Sequence, residues 1–290
     1  MATRKRAAAP RGKTAAKAPD TGRSARKPAN GAARRKPRGA ASAGFRNVIR
    51  GVAVEKPAPM DRFLRDLDEI ISSTLRTKDR VFPAIATGKA PLAVVRQVAK
   101  EFYYLGRWMT PDFAVFVANA PDRWSLSMEH SEHYAHWLQN LADEAGYLRD
   151  PNHVQMKLDW CRQLDITDRE LEAYVPLPET IGMTFTMLYY VRRSYEEGLA
   201  VFGYAGERRA AKTGYAKILY EGLKTHYGLD VKNFAIHAYA EDDHGDKAEA
   251  LLRKVAITAD VQRRIREAVR HCMPVTEMRQ QAFNRLLPPG

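Results

Sequence analysis

Along Asn233-Phe-Ala-Ile-His237-Ala-Tyr-Ala-Glu241-Asp-Asp-His244, an imidazole, a carboxylate and a second imidazole recur at spacings of four and three residues. No proline interrupts the chain from 232 to 255, and alanine, isoleucine and leucine flank the triplet. On a helix, positions i, i+4 and i+7 share one stripe, so His237, Glu241 and His244 present their donors together. Two imidazoles and a carboxylate suit iron or manganese and leave coordination positions free for a reactant. Taken alone, such a triplet is more often a solvated polar face. The rest of the chain must decide.

Further acids and imidazoles stand where they could join it. Glu144 ends an apolar-periodic stretch in Asn140-Leu-Ala-Asp-Glu144-Ala-Gly146, and His153 opens the next after a short Asp-Pro turn. The two could therefore converge. Glu207 closes Phe202-Gly-Tyr-Ala-Gly-Glu207, where small residues allow a partner helix to approach. A carboxylate in that apolar setting needs a counter-charge, which a metal ion supplies. Helix bundles build di-metal sites in this way, from Glu and His projecting inward on several helices. Each residue also has an ordinary reading: Glu144 as a solvated helix-end acid, His153 as a first-turn residue, Glu207 as a partner of Arg208. Glu129, His130, Glu132, His133 and His136 drift around their helix and read more readily as a solvated or rim face than as a second metal site. Cys161 reads as core.

The elements that must position these residues are helices. Phe63, Leu64, Leu67, Ile70 and Ile71 share one side of a helix beginning after Pro59. Pro91 opens another, Pro111 a third, and Asp122 a long one reaching Gly146. The next runs from Asp150-Pro-Asn-His to Leu164, and Thr167-Asp-Arg-Glu170 is a capping-box pattern for a short one. A long apolar run from Ile181 to Val201 is weakened by Gly198, Gly203 and Gly206. Residues 210–226 form a helix closed by Gly228, and Thr258 to Leu287 form the last, kinked at Pro274. Alternating β-branched runs and hairpin turns are scarce, so the expectation is one all-α helical bundle of seven to nine helices over residues 55–290. Tyr103, Tyr104, Trp108, Met183 and Tyr190 fill its core or line a pocket, with core the default.

Composition bounds what else the chain can be. The net charge is +13, but thirteen of the 47 Lys and Arg and only one of the 34 acids fall in residues 1–44. The basic character belongs to this segment, and the remainder is about neutral. Residues 1–54 are expected to be a disordered Ala/Lys/Arg/Pro-rich tail and linker, with too little apolar surface to offset the entropy of ordering. The tail could contact nucleic acid or another polyanion through phosphate charge, without the aromatics that base stacking needs. No run of eighteen apolar residues suggests a membrane span, there is no signal-peptide pattern, and two cysteines make no disulfide framework. A reducing cytoplasm fits these features.

The order Glu144, His153, Glu207, then His237-x-x-x-Glu241-x-x-His244 resembles the ligand order of haem-oxygenase-like di-iron oxidases, which are grouped with thiaminase-type and pyrroloquinoline-quinone-synthesis proteins. Asn140-x-x-x-Glu144-x-Gly146, Glu221-Gly-Leu-x-x-x-Tyr227-Gly228 and Phe234-x-x-His237 carry the likeness further, over roughly residues 60–255. The resemblance implies a haem-oxygenase-like bundle and two iron ions bridged by carboxylate. Glu144, His153 and His244 would serve one side, and Glu207, His237 and Glu241 the other. It also implies a site that takes up dioxygen and oxidises a small organic molecule, and it allows a homodimer. It does not fix the reaction, because N-oxygenation, decarboxylation and C–C cleavage all occur on this fold. One departure is Glu241, where the family more often has Asp. Two alternatives stand beside it: a cofactor-free oxidase resembling the quinone-synthesis relatives, and a nucleic-acid-associated binding protein that works through its tail.

Overall fold

A computed structural model describes residues 55–121, 128–146, 151–207 and 214–288. The tail expected at residues 1–54 lies outside the described residues. The described residues, within the unit Val54–Gly290, are helical, with no strand among them. The helices are α1 (Met60–Thr74), α2 (Val81–Ala86), α3 (Leu92–Ala118), α4 (Met128–Glu144), α5 (His153–Gln163), α6 (Asp168–Glu172) and α7 (Pro178–Arg193). Next come α8 (Tyr195–Gly198), a π-helical segment Leu199–Glu207, α9 (Tyr215–Tyr227), α10 (Lys232–Val255) and α11 (Ala259–Asn284). Against the seven to nine expected, the described residues hold twelve helical segments, nine of them with nine or more residues.

Local signals set most of the boundaries. Pro59 and Pro91 precede α1 and α3. The side chains of Asn152, Thr167 and Thr258 accept hydrogen bonds from Gln155, Glu170 and Val261 N–H at the starts of α5, α6 and α11. These satisfy N–H groups that a helix start leaves orphaned. At the end of α9, Gly228 takes φ +68°, a left-handed conformation that glycine adopts without penalty.

Three expectations are corrected. Pro111 opens no helix and lies inside α3, which runs unbroken from Leu92 to Ala118. An interior proline costs a hydrogen bond and a clash, about 3 kcal/mol. Burial of Phe113, Phe116 and Val117 just beyond it offsets that cost. The apolar run from Ile181 to Val201 is three elements: α7 stops at Ser194, whose side chain caps α8, and a π-helical stretch follows. Small residues permit that stretch, since Gly203 would place an added Cβ 3.1 Å from the Ala248 methyl of α10. The helix expected from 210 starts at Tyr215, and residues 208–213 lie outside the described residues. Pro274 sits within α11.

Two apolar clusters hold the bundle. One joins Phe63 and Leu67 of α1, Phe116 of α3, Trp137 of α4 and Ile265 of α11 around the π-helical segment. The other joins Ile85 of α2, Val98 and Phe102 of α3, Trp160 of α5, Leu219 of α9 and Phe234 of α10. At 1.5 Å per residue α3 is about 40 Å long, enough to contribute to both. Between the clusters lies a cavity.

Candidate metal centre and its cavity

The turn between α4 and α5 sets the first two side chains. Gly146 takes φ +71°, ending the helix that carries Glu144, and an added Cβ there would lie 3.0 Å from the Asn152 backbone nitrogen. Asn152 caps α5 in a reciprocal capping box with Gln155, so His153 emerges at the first helical position, 5% exposed. His237 comes from the second turn of α10. Its ring meets that of His153 edge-on, with centroids 5.0 Å apart.

One ligand atom from each of Glu144, His153 and His237 lies within 4.8 Å of the others. A bound ion with bonds of about 2.1 Å draws donors to within about 4.2 Å of one another, so this grouping is close to the spacing a metal needs. His153 Nδ1 is 2.8 Å from Glu144 Oε1, yet Nδ1 is buried without a hydrogen-bond partner. Glu144 and His153 would together hold a cation, which would supply the partner that Nδ1 lacks. Burial pushes the Glu144 carboxyl upward, but the neighbouring His153, with weaker help from Lys157 and His237, holds it below its ordinary value. The carboxylate is therefore ionised and able to ligate. One carboxylate and two imidazoles in this setting fit iron.

Of the six residues the sequence nominated, the structure thus brings together Glu144, His153 and His237. Glu207, Glu241 and His244 belong to the π-helical segment and α10 by their backbone, and their side chains lie outside the described residues. The Glu129–His136 side chains lie there too. Cys161 is fully buried in the second cluster, as expected of core.

Glu144 and His237 open onto a cavity of about 340 Å³. Its apolar wall includes Phe102, Met109, Met183, Met187, Phe202 and Phe234, and at one end stand Asp79, Arg279 and Gln280. Of the five residues weighed as pocket or core, Met183 lines this cavity, while Tyr190 is core. Sequence reasoning passed over three other lining residues. Lys157 follows His153 by one turn, Asn233 precedes His237 by one turn, and Gly106 faces Lys157 from α3. The i, i+4 spacing from each histidine was the available signal. Burial drives the Lys157 ammonium below its usual range, with Glu144 opposing that shift.

Residues 98–277, more than half of the chain, match the family described as iron-containing redox enzyme, and the chain belongs to that family. Among solved structures it is similar to a TenA homolog from Pseudomonas syringae pv. tomato, with a TM-score of 0.61 and 14% identity over 80% of this chain and 100% of that one. A domain of unknown function with a heme oxygenase-like fold from Shewanella denitrificans gives a TM-score of 0.57 and 16% identity, over 79% and 93% of the two chains. A CADD-like protein of unknown function from Nostoc punctiforme gives 0.53 and 12%, over 78% and 97%. At these identities the likeness shows the fold, which is heme-oxygenase-like. No curated protein matches the chain in sequence. Among the described residues, no helix is long and apolar enough to cross a membrane.

Proposed function

We propose that the protein is an iron-dependent oxidase or oxygenase that uses dioxygen at a di-iron centre to oxidise a small organic molecule held in the cavity. The observation that supports it best is the buried His153 Nδ1, set 2.8 Å from Glu144 without a hydrogen bond, in a cluster that His237 completes at the cavity wall. Bound iron supplies the one-electron redox chemistry that dioxygen requires. Glu144, His153 and His237 hold the metal, and the reading assigns Glu207, Glu241 and His244 to complete two sites. His237, Glu241 and His244 share the uninterrupted α10, where their spacing spans about 60° of helix surface. The apolar walls keep bulk water from the reacting groups and accept the substrate's hydrocarbon part.

A hydrolytic alternative that relies on a cysteine nucleophile finds little support. Cys272 borders the cavity, but burial raises its thiol to about 12, so it is protonated at neutral pH. The nucleic-acid reading concerns residues 1–44, and we assign them an accessory polyanion contact. Anaerobic loading with Fe(II) followed by metal analysis tests the proposal, with about two irons per chain expected.

A further inference from the structure

Two polar side chains are buried at the cavity wall beside the acid–imidazole cluster without belonging to it. Lys157 is 9% exposed and Asn233 is 3% exposed. The helices that carry them run antiparallel where they meet, because His153 packs on His237 while Trp160 packs on Phe234. Lys157 and Asn233, each one turn from its histidine, therefore stand on the same side of the imidazole pair, and both line the cavity.

The Glu144 carboxylate acts on the Lys157 ammonium through its charge, without a close contact. The Asn233 Nδ2 group is buried without a hydrogen bond, and no acid among the described residues forms an ion pair with the Lys157 ammonium. A buried ammonium held off its nearest carboxylate is unfavourable, and so is a buried amide donor left unmade. Space has been kept for the lysine. A Cβ on Gly106 would lie 2.6 Å from Lys157 Cδ and 3.3 Å from its Nζ, so a larger residue at that position of α3 would push the stem from its present path. Arg279, the other cation on the wall, is already stacked on Phe283 and bonded to the Thr180 hydroxyl.

We propose that Lys157 and Asn233 bind the carboxylate of the substrate, which makes the substrate class a small organic acid with an apolar body. One ammonium and one amide N–H group match the two oxygens of a carboxylate, whereas a phosphate ordinarily collects more cations. The acid group then sits one helical turn from the imidazole pair, with its hydrocarbon chain along Met109, Met183 and Phe202. The cavity is roughly twice the ~150 Å³ that holds benzene, room for about a dozen non-hydrogen atoms. The assignment rests on reading this cavity as the substrate site.

Calorimetric titration of the metal-free protein tests it, with 4-phenylbutyrate as the acid and 4-phenylbutan-1-ol as its neutral counterpart. The wild-type protein is expected to bind the acid at least about tenfold more tightly than the alcohol. Lys157→Met should abolish that preference while leaving alcohol affinity unchanged, which also shows that the variant is folded. Gly106→Ala, which crowds the lysine stem, should weaken acid binding several-fold with Lys157 still present. A wild-type protein without preference for the acid, or a preference that survives Lys157→Met, overturns the assignment. If Lys157→Met does not fold, an undiminished preference in Gly106→Ala overturns it. Because iron is absent, this failure is distinct from that of the metal reading, which is judged by iron content alone.

Discussion

His153 Nδ1 and Glu144 Oε1 meet at 2.8 Å where α4 gives way to α5, and no hydrogen bond joins them. The approach is enforced from both sides, by the left-handed Gly146 that ends one helix and by the Asn152 cap that starts the next. Asn152→Ala removes that cap and is expected to destabilise the protein by about 1 kcal/mol. It should also weaken iron binding, because His153 is the first residue the cap fixes. Denaturant unfolding and metal titration together check this, and a variant with lost stability but wild-type iron affinity would separate the cap from the site.

A second prediction concerns the support beneath the cavity. A Cβ on Gly222 would lie 2.3 Å from the Ala86 Cα, so α9 packs directly on the backbone of α2. In an open helix, Gly→Ala gains up to about 1 kcal/mol. Here backbone must yield, and overpacking costs about 1–3 kcal/mol. Gly222→Ala should therefore lower the unfolding free energy on balance. A higher denaturation midpoint would show that α9 and α2 are not in this contact.

Both cysteines should be silent in the native protein. Burial raises the Cys161 and Cys272 thiols to about 12 each, so almost none is thiolate at pH 8. Titration with a disulfide reagent at that pH is expected to register both thiols only after denaturation. Rapid reaction of one thiol in the native state would place it nearer solvent or a positive charge.

Acid should weaken the tie between α11 and the segment joining α1 to α2. The Glu277 carboxylate accepts hydrogen bonds from Thr77 N–H at 3.0 Å, from the Thr77 hydroxyl and from Gln281. Burial pushes its pKa up, but these donors outweigh burial and hold it below the usual value. A depressed carboxyl contributes its stability above the unfolded-state value and loses it as pH falls through the folded one. Wild-type stability should therefore fall faster than that of Glu277→Gln below about pH 5. Parallel pH profiles would remove Glu277 from the acid response.

The fold was legible where the signal was local. Thr167, Thr258 and Gly228 announce helix ends through bonds made within a few residues, and all three act where the sequence places them. Pro111 misleads because tertiary burial of Phe113 and Phe116 offsets the proline penalty, and no local pattern records that. The π-helical stretch is likewise invisible, since it depends on the fit of Gly203 against Ala248. In the site, Glu144, His153 and His237 were legible as ligand types at helix-compatible spacing. Lys157 was not, because a lysine in a helix ordinarily reads as surface. Its stem packs against Gly106, 51 residues earlier in the chain.

Iron content measured after anaerobic Fe(II) loading tests the central claim most directly. Wild-type protein should retain about two irons per chain after desalting, and Glu144→Ala, His153→Ala and His237→Ala should each lose metal while keeping their helical circular dichroism. Wild-type protein without iron, or a His153→Ala, His237→Ala double variant that holds as much iron as the wild type, would contradict the account.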